Sequence, residues 1–245
     1  MFFPLRDHNP TRGTPFVTIG LIAANFLFWF VELGQGERLG YFLARWGATP
    51  FELTHLQDLV GPVAGTPLVH APGPPLLWIT PLASMFLHAG WLHLLFNMHF
   101  LWIFGNNVED ALGHARFLLF YLLWGLFGLG LHVATDPDSI VPTVGASGAI
   151  SGVLGAYLML YPRARVTSLL FLGLFIQFLQ VPALVLIVVW TLLQIFGGLA
   201  SVGRVGGGTA YWAHIGGLAA GYFSTRWLAR DRLAAQSLRQ QWLRR

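Results

Sequence analysis

Four polar side chains interrupt otherwise apolar runs of this 245-residue chain: His93, Asn97, Ser147 and His214. A serine hydroxyl is a weak nucleophile until a base takes its proton. A histidine can take it near neutral pH. Attack on a carbonyl then creates an oxyanion, which needs hydrogen-bond donors. His93 and Asn97 lie four residues apart, so on a helix they share one face. Ser147 sits in Gly145-Ala146-Ser147-Gly148, where an apolar run begins. The free N–H groups at the start of a helix favour negative charge. The set therefore fits acyl transfer, with Ser147 as nucleophile, His214 as base, and His93, Asn97 and the Ser147 backbone as oxyanion donors. Every Asp and Glu falls in a connecting segment or near the end of an apolar run. A Ser–His dyad is expected rather than a triad.

The elements that must position these groups are membrane helices. The chain is 55% hydrophobic and 10% charged, against about 25% charged in soluble domains. Six apolar runs appear, near Phe16–Leu33, Met85–Gly105, Phe117–Ala134, Ser147–Tyr161, Pro182–Ala200 and Ala210–Trp227. The first is too long for a signal peptide and no small-x-small cleavage site follows closely, so it is expected as a retained helix. Ser168–Gln180 is apolar but short, and is taken as the lead-in to the fifth run. With no cysteine, disulfides and thiolate chemistry are excluded. His55 and His70 lack a close ligand partner, so no metal is expected.

All 14 basic residues are Arg. With six spans and an inner N-terminus, only Arg38, Arg45 and Arg204 fall outside, a strong positive-inside bias. Both termini are thus expected to be cytoplasmic. The domains expected are a cytoplasmic segment 1–15, a membrane domain 16–228 and a basic cytoplasmic tail 229–245. The Arg residues flank apolar runs rather than forming one basic face, which argues against nucleic acid as a partner. Between the first two spans lies a long outer loop, about Gly34 to Thr80, of the length that is often functional.

Depth ties the polar groups together. Ser147 and His93 each stand about 16 residues, roughly 24 Å, above an inner boundary charge, Arg163 and Glu109. For Asn97 and His214 the spacing is about 12 residues, roughly 18 Å. All four fall in one layer below the outer surface. Gly145, Gly148, Gly217 and Gly221 are the small residues expected to permit close helix packing beside the site.

His93-Leu-Leu-Phe-Asn97, Gly145-Ala-Ser147-Gly148 and Ala213-His214-Ile-Gly216-Gly217, in that order, resemble the rhomboid family of intramembrane serine proteases. Glu109 and Val181-Pro182-Ala183 leading to Trp190 are similar too. The resemblance implies an all-α, six-transmembrane-helix bundle and a Ser–His dyad. It implies an oxyanion site that includes His93 and Asn97, and membrane-spanning protein substrates, single-pass or multi-pass, that enter from the lipid bilayer. It implies no cofactor. A bacterial or archaeal cell membrane is the expected location. Some members carry an aromatic residue one turn after the nucleophile, stacked on the base; this chain has Ser151 there.

Plainer roles compete. Ser147 could cap a helix, and His93, Asn97 or His214 could be polar bonds between helices. His88 could serve a water cavity near the outer interface. Among whole functions, a soluble hydrolase would show Gly-x-Ser-x-Gly, whereas Ala149 follows Gly148 here. A transporter would show more intramembrane charge or interrupted helix pairs. The stronger rival is a non-catalytic rhomboid-like protein that binds membrane clients.

Overall fold

A computed structural model describes residues 2–63, 68–172, 175–201 and 209–229. The chain begins with strand β1 (Phe2–Asp7) and helix α1 (Phe16–Leu33). The long loop expected to be the outer one holds α2 (Leu39–Trp46), α3 (Pro50–His55), a small hairpin of β2 (Gly61–Pro62) and β3 (Val69–His70), and α4 (Thr80–Ala83). Then follow α5 (Trp91–Leu112), α6 (His114–Thr135) and α7 (Ser147–Leu160). Strands β4 (Arg165–Leu172) and β5 (Phe175–Pro182) lead to α8 (Ala183–Ser201) and, last, α9 (Tyr211–Leu228).

Helix α7 is the central post. Small residues along it let neighbours approach backbone to backbone. A methyl group at Gly217 would strike the Gly148 carbonyl, and one at Gly221 the Gly152 carbonyl. On the same seam, one at Gly155 would strike the Leu218 carbonyl. Trp124 of α6 packs onto Gly152 from another side. Phe104 of α5 meets Tyr157 edge-on, with ring centroids 5.0 Å apart. Without a hydrophobic drive between helices in lipid, such close packing is what holds them together. A Cβ at Gly148 itself finds ordinary contacts at 3.7 Å, so the seam needs its exposed carbonyl more than its missing side chain.

The outward faces are apolar. Phe28 and Phe30 of α1, Leu119 and Phe127 of α6, and Leu193 and Phe196 of α8 are all exposed. That inverts the surface of a soluble protein and suits lipid. Among the described residues, α1, α6 and α8 are long and apolar enough to cross a bilayer. Leu77–Phe86 and α5 make a fourth candidate, bent by 78°. The bend corrects the second expected run, Met85–Gly105, which is broken before Trp91. Gly90 marks the break, and only from there does an unbroken helix descend to Leu112. With 14 residues, α7 is about 21 Å long and short of a full span by itself.

The chain is mostly helical, but it carries a three-stranded antiparallel sheet in the order β1-β4-β5. Phe2 pairs with Leu170 and Asp7 with Val166, while Arg165 pairs with Pro182. Ser168–Gln180, expected as the lead-in to the fifth run, does lead to α8, and it does so within strands β4 and β5. A short run that is apolar on both faces has no period that separates strand from helix. The N-terminal segment supplies its third strand. The Pro4 carbonyl accepts from His99 Nε2 at 2.7 Å, and the Asp7 carboxylate accepts from Tyr157 Oη at 2.8 Å and Asn107 Nδ2 at 2.7 Å. The expected basic tail, beyond Ala229, lies outside the described residues.

Glu109 shows how a charge is housed near the C-terminal end of α5. Its carboxylate accepts from the N–H groups of Val17 and Thr18 and from Thr18 Oγ1, at 2.6–2.8 Å. It thus caps the start of α1, where unpaired N–H groups need acceptors.

Candidate active site

Ser147 is the first residue of α7, and the segment before it is held from two sides. The Gly145 N–H donates to the Ser84 carbonyl at 2.8 Å. Ala48 and Thr143 exchange backbone hydrogen bonds of 2.9 and 3.0 Å, and Phe51 N–H donates to the Ser139 carbonyl at 3.0 Å. The loop between α1 and α5 therefore clamps the approach to Ser147. Gly145 adopts φ +124°, open to glycine but strained for other residues. A Cβ there would lie 2.7 Å from the His93 ring. Gly145 thus precedes α7 and makes room for the His93 side chain of α5.

His214 is buried on the first turn of α9. Its Nε2 lies 2.7 Å from Ser147 Oγ, a good hydrogen-bond distance. The close α7–α9 seam described above begins at the next turn and brings these two helix starts together. Asn97 is buried on α5, and its Nδ2 has no hydrogen-bond partner among the described residues. An unfilled buried donor is rare in proteins. His93, one turn earlier on the same helix, packs against Gly145.

A cavity of about 920 Å³ joins these groups. His93, Asn97, Ser147 and His214 all line it. Its walls include Phe96, Phe100, Leu154 and Trp190, and Asp136 and Asp138 lie toward the connection between α6 and α7. A second cavity, of about 20 Å³, lies behind Ser147 and is large enough for one water. The structure thus brings together the four residues singled out in the sequence. His88 does not line the large cavity. It is fully buried, its N–H donates to Glu32 Oε1 at 2.8 Å, and its ring meets that of His93 edge-on at 5.0 Å.

Two side chains beside His214 were not anticipated. Gln194 of α8 presents Oε1 at 2.8 Å from His214 Nδ1. The Trp190 ring lies 5.7 Å from the imidazole, tilted by 34°. Ser151, at the position where an aromatic residue could stand, instead donates to the Ser147 carbonyl at 2.6 Å. The signal for Gln194 was present in the sequence, since it is the single amide in the long apolar run that forms α8. A polar group there calls for a partner.

Apolar helices around a hydrogen-bonded serine–histidine pair define a class: helical membrane proteins with a serine-hydrolase type of site. Within that class the chain belongs to the rhomboid family. The sequence model of the rhomboid domain matches residues 76–231, which include all four site residues. That family is one of intramembrane proteases. Rhomboid protease GluP of Bacillus subtilis is 46% identical over 81 residues, 33% of this chain and 15% of that protein. The presenilin-associated rhomboid-like protein, mitochondrial, of Bos taurus is 33% identical over 175 residues, 69% of this chain and 38% of that one. Rhomboid protein 1, mitochondrial, of Saccharomyces cerevisiae is 34% identical over 97 residues, 38% of this chain and 28% of that protein. The chain spans less than half the length of these curated relatives.

Proposed function

We propose that this chain is an intramembrane serine endopeptidase that cuts membrane-spanning proteins in the outer part of the bilayer. The 2.7 Å contact between Ser147 Oγ and His214 Nε2 carries the reading. His214 Nε2 takes the Ser147 proton as Oγ attacks the scissile carbonyl. The oxyanion that forms is held by the Ser147 N–H and by the side chains of His93 and Asn97. The unfilled Asn97 Nδ2 supports this role. The C–N bond then breaks, and the imidazolium returns its proton to the leaving amine. Water, deprotonated by His214, attacks the acyl-enzyme and releases the second product.

Six spans carry this site: α1, bent α5, α6, α7, α8 and α9. Both termini face the cytoplasm, and the cavity faces the outer side. The domains follow as a cytoplasmic segment 1–15, a membrane domain 16–228 and a basic tail 229–245. Substrates are single-pass or multi-pass proteins drawn from the bilayer of a bacterial or archaeal cell.

Reconstituted protein mixed with a labelled single-span substrate tests the reading. A cut near the outer end of the span is expected. Ser147→Ala and His214→Ala should each lower the rate by about 10³-fold or more. Cleavage that survives Ser147→Ala would sink the mechanism. Substrate that co-purifies intact with the unaltered protein, and is never cut, would favour the client-binding alternative.

A further inference from the structure

His214 has two ring nitrogens, and only one tautomer can serve Ser147. To accept the Ser147 proton, Nε2 must be bare and the ring hydrogen must sit on Nδ1. Among the described residues no carboxylate meets Nδ1 to enforce this. What Nδ1 meets is Gln194 Oε1, at 2.8 Å and buried. An amide oxygen can only accept, so Nδ1 must donate. The amide itself is oriented by its other end, since Gln194 Nε2 lies 3.5 Å from the Trp190 carbonyl one turn earlier.

The seat of α8 against α9 fixes the register of this contact. Gly197 takes the Tyr211 ring where a side chain would collide, and a Cβ at Gly198 would lie 3.3 Å from the Trp212 ring. Both glycines lie within a turn of Gln194, and both aromatics within a turn of His214. The opposite face of α8 is bare, with Leu192, Leu193, Phe196 and Leu199 exposed. The helix that orients the base is thus packed on one side only.

We infer that Gln194 is a positioning residue, which holds the His214 proton on Nδ1 and so keeps Nε2 bare for Ser147. This rests on the protease reading, whose base is His214. A hydrogen bond of 2.8 Å is lost once its atoms part by about 1 Å. Loss of the amide acceptor therefore frees the imidazole to turn or to change tautomer.

Two variants of the full chain test the inference, each checked for folding by its melting temperature. Gln194→Leu keeps the volume and removes the acceptor, whereas Gln194→Glu keeps an acceptor. Cleavage kinetics on the labelled single-span substrate should show kcat lowered on the order of 10- to 100-fold in Gln194→Leu. KM should stay close to that of the unaltered protein, and Gln194→Glu should recover most of the loss. Nitrogen-15 NMR of histidine-labelled protein in bilayers reads the tautomer directly, with the His214 signal taken as the one absent from His214→Ala. The unaltered protein should show hydrogen on Nδ1 alone, and Gln194→Leu a mixture of both forms. An unchanged tautomer in Gln194→Leu, or an unchanged kcat, overturns the inference. Should Gln194→Leu not fold, a kcat loss in Gln194→Glu as deep as that of His214→Ala also counts against it. Absence of cleavage by the unaltered protein would remove the protease reading, while the tautomer measurement would still decide the role of Gln194.

Discussion

At the scale of single residues, the site is a set of donors and acceptors, and Asn97 carries a buried donor, Nδ2, with nothing to donate to among the described residues. Such an arrangement costs free energy unless something fills it in the working state. If that something is the oxyanion, Asn97→Ala should lower kcat by about 10²-fold or more, corresponding to roughly 3 kcal/mol of barrier, with KM little changed. Single-turnover cleavage would measure it, and a rise in KM alone would assign Asn97 to substrate binding instead. His93 and Asn97 were legible in the sequence because their spacing of four puts two costly groups on one face. Ser147 and His214 were legible because small residues surround them. Gln194 was not picked out, because its partner lies on another helix twenty residues further on, and spacing along one helix says nothing of contacts between two.

At the scale of elements, the helices were largely readable and the sheet was not. Residues 16–33 form α1 with the bounds expected, since a long apolar run leaves few options. Strand β4 pairs on one side with β5 and on the other with β1, more than 150 residues away, and no local pattern announces the distant partner. The outer loop, too, has internal order that hydropathy does not reveal. Glu52 and His70 are both buried there, with Oε1 and Nδ1 3.9 Å apart, and Glu52 Oε1 accepts from Leu59 N–H at 3.1 Å. Burial pushes the Glu52 carboxyl above its ordinary 4.5 and the His70 imidazole below its ordinary 6.5. The two act in opposite senses on stability. Glu52's contribution is full below pH 4.5 and declines as pH rises toward its folded value. His70's contribution is full above pH 6.5 and declines as pH falls toward its own. Between these limits the slopes oppose each other in the unaltered protein. Glu52→Gln keeps an acceptor for Leu59 and leaves His70 alone, so loop stability should then climb with pH and level off above about 6.5. Hydrogen exchange of the α2 and α3 amides, corrected for intrinsic rates, would show it. A flat profile in Glu52→Gln would mean that His70 takes up a proton equally well in the folded loop.

At the scale of the whole molecule, the charge pattern and the packing have to describe one orientation in the membrane. The inner-boundary residue Glu109 caps the start of α1, so the lower ends of α1 and α5 lie at one level. The outer loop is hydrogen-bonded to residues 137–143, so the approach to Ser147 and the α1–α5 connection share the opposite level. In the orientation proposed above, with α1 running outward, Thr14 and Arg163 would belong to the cytoplasmic face and Glu37 and Asp138 to the outer one. Length and composition do not decide this, because α7 is too short and α9 too rich in glycine and polar groups to register as a span by hydropathy. In the six-span arrangement proposed above, their crossing would depend on packing against each other along the α7–α9 seam. The chain has no cysteine, so single substitutions report position without background. Glu37→Cys and Asp138→Cys should react with a membrane-impermeant maleimide on intact spheroplasts. Thr14→Cys and Arg163→Cys should react only after the membrane is opened. Thr14, Glu37, Asp138 and Arg163 are all exposed, and Asp138, which lines the cavity, is 78% exposed. Labelling of Asp138→Cys and Arg163→Cys from the same side would mean that α7 does not cross, and the six-span arrangement would fall with it. Opposite sides at both pairs would leave Ser147, at the outer end of α7, where only an outward-facing cavity can bring it water.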